Sequence, residues 1–347
     1  MQVNTEKKRS FIFDAQITTH AINLSGVNAI DFLNDAKLFL DTQKYVFDYY
    51  NLDKLCTIYD VYNIEAEALG QKMKYFKSDM PAVNTGKPFI ENKSDINKIQ
   101  DIDFKKNRRC RFVLDLIDLY KQEIGEGFKP RFCAPFSLAV NIRGFDNLIN
   151  DIYSDRKFVK ELFSRINHNL IAPWIELQRE ELKDQARIAS GADAWIAIPN
   201  VNLDILENIV VPTYLELQEL TGNIYLALLG GARYLKNPIR FLEIQKILNP
   251  FLVKGLDPDM EELNPELFLK FANDNNMDLL LGIDASFILN STLGEINKRI
   301  KEYIDIGMMA NKDFILYFND IPGNISSEKL KSIFQMVNRI RNTINRK

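Results

Sequence analysis

The sequence predicts an α/β protein: a single (β/α)8, TIM-like barrel spanning residues 1–347, with an insertion between its second and third strands. Three observations carry that expectation. Eight short apolar runs recur along the chain, several ending on a polar residue, as strands buried on both faces of a parallel sheet do. Amphipathic stretches with helical spacing lie between them. No long tract is left over, and a doubly wound open sheet would not usually need eight regular units.

The expected strands are Phe11–Asp14, Leu55–Asp60, Arg131–Cys133, Ala194–Asn200, Ile224–Gly230, Phe251–Asp257, Leu279–Asp284 and Phe314–Asp320. The helical stretches are Asn28–Tyr50, Arg109–Glu123, Asp155–Ala189, Asp204–Thr221, Pro238–Leu248, Pro265–Asn275, Leu293–Ile306 and Ser327–Asn345. Asn237-Pro238 and Asn264-Pro265 each set a cap before a proline at the first helical position, where the missing N–H costs nothing. Gly191 reads as the end of the long helix, with Asp193 facing solvent or capping. After the third strand the chain turns through Ala134-Pro135, opens a helix at Phe136 and is cut at Arg143-Gly144. Ser154-Asp155 then caps a further helix. The irregular tract Gly70–Lys105 turns through Pro81, Gly86 and Pro88 and reads as a hairpin with a surface excursion.

Composition narrows the function. Hydrophobic residues make up 46% and charged residues 26%, as in an ordinary globular chain, and the net charge of −3 offers no basic excess for nucleic acid or an anionic membrane. No apolar run approaches the roughly 20 residues that span a bilayer. The N-terminal MQVNTEKKRSF has no apolar core of the signal-peptide kind, so a cytoplasmic location is expected. Cys56, Cys110 and Cys133 are too few and too scattered for a disulfide framework or a zinc knuckle.

In a barrel the C-terminal strand ends converge on the active site, which turns the strands into a set of candidates. The catalytic candidates are Asp60, Glu65 and His20. Asp60 and one of Glu65 or Glu67 would bind substrate or shuttle a proton. Alternatively, the two glutamates steady a helix N-terminus. His20 is the one histidine placed to act as a near-neutral acid or base, or else a satisfied structural residue, because His168 sits among polar neighbours on a long helix. The substrate-binding candidates are Tyr62, Asn63, Asn141, Arg143, Asn200, Asp284, Asn319 and Asp320. Trp195 reads as core or barrel wall rather than a ligand stack. No residue set is nominated for a metal. Nor does a Gly-rich loop with a P-loop lysine meet a helix start.

Five short motifs carry a family resemblance. Ala134-Pro135-Phe136-Ser137-Leu138-Ala139, then Gly144-Phe145-Asp146, then Asp151-Ile152-Tyr153-Ser154-Asp155 follow one another after the third strand. Glu65-Ala-Glu67-Ala-Leu-Gly70 follows the acidic end of the second, and Gly191-Ala-Asp193-Ala precedes the fourth. They resemble the superfamily of uroporphyrinogen decarboxylase and the corrinoid-linked methyltransferases of the methylamine, methanol and chloromethane type. The resemblance implies methyl transfer between a small methylated substrate and a corrinoid (cobalamin) carried by a partner protein, with a homodimer possible. Its methyltransferases hold a thiol-activating zinc through a His-x-Cys turn after the fifth strand and a Cys turn after the eighth. Here those turns read Ala227-Leu228-Leu229-Gly230 and Asn319-Asp320-Ile321-Pro322, so no zinc is expected. The arginines that meet porphyrinogen carboxylates are also missing from Phe13–His20. The alternatives are a cofactor-independent decarboxylase of a smaller substrate and a non-catalytic barrel that binds a ligand or corrinoid protein.

Overall fold

The computed structural model describes residues 11–345 apart from 186 and 229. Its strands are β1 (Phe11–Ala15), β2 (Met73–Lys74), β3 (Ala82–Val83), β4 (Arg131–Cys133), β5 (Ala189–Asp193), β6 (Ile224–Leu228), β7 (Leu252–Leu256), β8 (Asp278–Ile283) and β9 (Phe314–Phe318). Strands alternate with helices, and β1 and β4–β9 pair only in parallel, which places the chain in the α/β class. The chain divides into two compact units. One comprises the described parts of residues 1–24, 43–56 and 250–347, the other residues 25–42 and 57–249.

The first unit is built on the sheet β1-β9-β8-β7. Side chains alternate across a strand, so each strand offers one row to each face. Phe13 packs edge-on against Phe318 and Phe334, with ring centroids 5.0 and 5.2 Å apart, so this face meets the C-terminal helix Ser327–Asn345. Gly307, at the end of the helix Leu293–Gly307, lies so close that a Cβ would come within 2.2 Å of the Phe314 ring. The opposite row carries Asp14, Lys254, Leu256, Leu280 and Tyr317, and Leu256, Leu280 and Tyr317 form a buried cluster. The strands expected at Phe11–Asp14, Phe251–Asp257, Leu279–Asp284 and Phe314–Asp320 all form, within two residues at each end. The helix Ser327–Asn345 matches its expected bounds, as does Pro238–Leu248 of the second unit.

The second unit holds the sheet β4-β5-β6 and the antiparallel hairpin β2–β3, which falls inside the irregular tract. Two expected strands differ. Residues 55–60 join no assigned strand. The outer edge of β4 is instead finished by side chains. Gln178 accepts from the Arg131 N–H at 3.0 Å and donates to the Arg131 carbonyl at 2.9 Å, and Glu65 accepts from the Cys133 N–H at 2.9 Å. The strand expected at Ala194–Asn200 is a run of turns, and the ladder uses Ala189–Asp193. Those residues are small because the space is small: a Cβ on Gly191 would sit 2.3 Å from Leu226 and 2.6 Å from Phe132. Gly191 therefore lies mid-strand rather than ending a helix.

The long helix expected at Asp155–Ala189 is interrupted. It runs Arg156–Ile166, widens to a π turn at Asn167–Ile171, resumes at Ala172–Leu182 and stops at left-handed Lys183. A second π turn, Leu206–Val210, precedes the helix Val211–Thr221. Both come just before a proline, Pro173 and Pro212. A proline cannot donate the next helical bond, and the wider turn accommodates the loss.

Candidate functional site

In the second unit the turn 60–65 and the helix Pro135–Arg143 gather most of the expected site residues. The Asp60 carboxylate is buried and receives the Arg109 guanidinium, which is itself about 1% exposed. Burial pushes the Asp60 carboxyl above its ordinary range, against the pull of Arg109. Arg109 comes from the helix Arg108–Glu123, whose N-cap Asn107 accepts from the Arg109 and Cys110 N–H groups. Asn63 donates to the Pro81 carbonyl at 2.9 Å and reaches Asp60 at 3.5 Å, tying this turn to the chain beside β3.

Glu65 lies on the short helix Ile64–Leu69 and is fully buried. One carboxyl oxygen accepts from Cys133, and Oε2 has no protein partner. Burial lifts its pKa to about 8, so the group is a neutral acid at neutral pH. Asp193 repeats the pattern. Its Oδ1 accepts from the Ser137 N–H at 3.0 Å and the Ser137 hydroxyl at 2.6 Å, its Oδ2 has no partner, and burial lifts it to about 7. Asp193 thus caps the helix Pro135–Arg143, as one of its sequence readings had it. The Cys133 thiol beside both carboxyls is raised well above its ordinary value, chiefly by burial.

The remaining candidates of this unit scatter. Asn141 donates to the Tyr62 carbonyl at 2.6 Å, which joins the two neighbouring segments. Arg143 is buried and pairs with Asp151 at 2.9 Å, while donating to the carbonyls of Ile90 and Glu91. That is a loop anchor rather than a hand held out to a substrate. Asn200 is exposed. Trp195 stacks on Phe145 at 5.0 Å and is half-buried.

The first unit holds His20, Asp284, Asn319 and Asp320. His20 is buried, its Nε2 2.7 Å from the Tyr50 hydroxyl, and burial lowers its pKa. Asp284 caps the helix Ala285–Asn290 through the Ser286 N–H at 2.7 Å. Asn319, half-buried, follows β9 with its N–H on the Ile283 carbonyl. Asp320 adopts a left-handed backbone, φ 47°, and accepts from Gln16 at 3.3 Å; Gln16 in turn accepts from the Tyr317 hydroxyl at 3.0 Å.

Sequence reading missed Arg109, Gln178 and Lys254. An arginine, a glutamine and a lysine in amphipathic or strand stretches look like solvated residues, and only the fold shows Arg109 and Gln178 buried and Lys254 half-buried. The signal that could have found Lys254 was its central place in an otherwise apolar strand, LVKGL. Among the described residues no group of three or more His, Cys, Asp or Glu side chains could hold a metal ion. The side chains of Ala227 and Leu229 lie outside the described residues. Among the described residues no helix is long and apolar enough to cross a membrane.

The parallel strands alternating with helices, with the buried carboxyls of Glu65 and Asp193 beside β4 and β5, define an α/β protein whose polar groups cluster beside its strands. The sequence model of the uroporphyrinogen decarboxylase (URO-D) family matches residues 16–195, and the chain belongs to that family. Among solved structures it is similar to a methyltransferase from Methanosarcina mazei, at 12% identity and a TM-score of 0.72, covering 96% of this chain and 94% of that one. A B12-independent methionine synthase from Shewanella sp. W3-18-1, in complex with selenomethionine, aligns at 9% identity and a TM-score of 0.49 over 89% of each chain. No curated protein matches the sequence.

Proposed function

We propose that the chain is a methyltransferase of the URO-D superfamily, moving a methyl group between a small methylated substrate and a corrinoid carried by a partner protein. In this reading the chain is a single TIM-like barrel of that superfamily. The likeness of fold to a methyltransferase supports the class. The observation that carries the chemistry is Glu65: a carboxyl kept neutral by burial, with one oxygen pinned and the other without a partner. An amine or alkoxide leaving group needs a proton as its methyl departs, and a group with a pKa near 8 suits that task. When bound, the corrinoid supplies the nucleophile. The chain's own residues hold the turn: Arg109 fixes Asp60, Asn63 fixes Pro81, and Asn141 fixes Tyr62. Zinc is left out because alanine and leucine side chains have no donor atoms and an asparagine amide is a poor one.

The test is an assay of cob(I)alamin against a panel of methylated amines and methoxy compounds, scored by methylcobalamin formation. Glu65→Gln keeps an acceptor for the Cys133 N–H but loses the proton. It should lower the rate at least about 100-fold. Unchanged turnover would remove Glu65 as the acid; no product from any donor would remove the methyl-transfer reading. A decarboxylase of a smaller substrate is the second reading, favoured by the family match over residues 16–195. Release of CO₂ without corrinoid would select it.

A further inference from the structure

Two helical segments of the second unit leave a groove of about 500 Å³ between them. One wall is the helix Arg156–Ile166, which lines it with Arg156, Val159, Lys160 and Phe163, spaced three and four residues apart on one face. The facing wall is the π turn Leu206–Val210 and the start of the helix Val211–Thr221, which add Ile209, Pro212 and Glu216. Val159 and Phe163 are 1% and 3% exposed and Ile209 is half-buried, so the floor is apolar. The volume is that of a small-molecule pocket.

Charge is unevenly placed along this groove. Elsewhere helical cations pair with an acid three or four residues away, as Lys37 does with Asp41, Arg165 with Glu161 and Lys270 with Asp274. Lys160 has no carboxylate partner among the described residues, and Arg156 meets only Asp204, at 3.9 Å. The two cations repel each other across four residues, in the first turns of a helix whose dipole already disfavours them there. Local energetics do not account for the pair; an anion between them would. Glu216 lies at the far end, beside Ser164, which is roughly 12 Å along the helix from Arg156. Both its oxygens accept already, from the Ser164 hydroxyl at 3.0 Å and the Asn167 amide at 2.9 Å.

We infer that this groove binds an amphipathic monocarboxylate. The carboxylate accepts from Arg156 and Lys160, and an apolar tail no longer than two helical turns lies over Val159, Phe163 and Ile209. A cationic head would be repelled by the same pair, and an uncharged one would leave it unmatched. The groove shares no residue with the Glu65 turn, so the inference does not rest on methyl transfer and would survive its failure.

The experiment titrates the full chain with octanoate, octanol and octylammonium at neutral pH by calorimetry. Octanoate should bind once per chain and at least about tenfold more tightly than octanol, because its head adds charge-assisted hydrogen bonds. Octylammonium should not bind. Arg156 and Lys160 are exposed, so changing both to glutamine leaves the fold alone. The Arg156→Gln, Lys160→Gln double variant should bring octanoate down to the affinity of octanol. Ile209→Trp adds bulk on the facing wall and should abolish binding of both. Octanoate that shows no saturable binding by about 1 mM, or that binds no better than octanol, overturns the inference. So does an octanoate affinity unmoved by the double variant or by Ile209→Trp.

Discussion

Replacing Glu65 by glutamine should change how stability depends on pH in a way that isolates one buried proton. The folded carboxyl titrates near 8 and the unfolded one near 4.5. Between those values the native state holds a proton that the unfolded state has lost, so the wild type loses about 1.4 kcal/mol of stability per pH unit as pH rises. The loss begins at about pH 4.5 and is complete above about 8. Its full extent is roughly 5 kcal/mol, from a shift of about 3.5 units. Glutamine keeps an acceptor for the Cys133 N–H and cannot ionise, so this slope disappears. Thermal and urea unfolding at pH 5 and pH 8.5, compared between variant and wild type, should show the variant gaining roughly 4 kcal/mol relative to wild type across that interval. Asp193 and His20 also titrate, but they are common to both proteins and cancel in the difference. Parallel pH profiles for the two proteins would refute the reasoning, because they would mean that Glu65 is ionised in the fold.

Other substitutions follow from the same geometry. Arg109→Met should destabilise by about 3–5 kcal/mol in chemical denaturation by stranding Asp60, and Asp60→Asn in the same chain should recover much of the loss. Gln178→Met removes both bonds to Arg131 and should cost about 2–4 kcal/mol, read as a lowered Tm. Gly191→Ala and Gly307→Ala place a methyl 2.2–2.3 Å from packed rings or leucine and should each lower the Tm by several degrees, while Gly294→Ala, with nothing nearer than 3.9 Å, should not. Substrate turnover by a proton-donating Glu65 should fall as pH rises through about 8, and the Glu65→Asp variant should shift that fall.

What the sequence disclosed depended on how loudly each element spoke. β8, reading DLLLGI, and β9, reading FILYF, are apolar enough to announce themselves. Pro238 and Pro265 mark their helix starts by ring geometry alone. The reading went astray at β5, whose ASGAD has no large apolar residue because Phe132 and Leu226 leave none the room. It went astray again at 55–60, where the pattern is strand-like but the edge of β4 is taken by Gln178 and Glu65. Periodicity reports what a segment would do, not what has already been bonded. Candidate residues were found by type and place, and Asp60, Asn63 and Glu65 do gather around one turn. The same logic could not tell that Arg143 is spent on Asp151 and the 90–91 carbonyls. Long-range partners leave no trace in local spacing.

The side-chain finish on β4 has a mechanical consequence. A ladder of backbone bonds moves in steps, since sliding one strand by a residue exchanges every side chain between faces. The bonds from Gln178 and Glu65 hold the same edge at separate points, each on its own rotatable stem. The segment 55–60 is held beside that edge not by a backbone ladder but by its own buried side chains, Cys56, Tyr59 and Asp60, and by the Arg131 guanidinium, which donates to the Thr57 carbonyl at 3.2 Å. The register of that edge is therefore carried by two side chains, and Gln178 and Glu65 are less replaceable than their places on helices suggest.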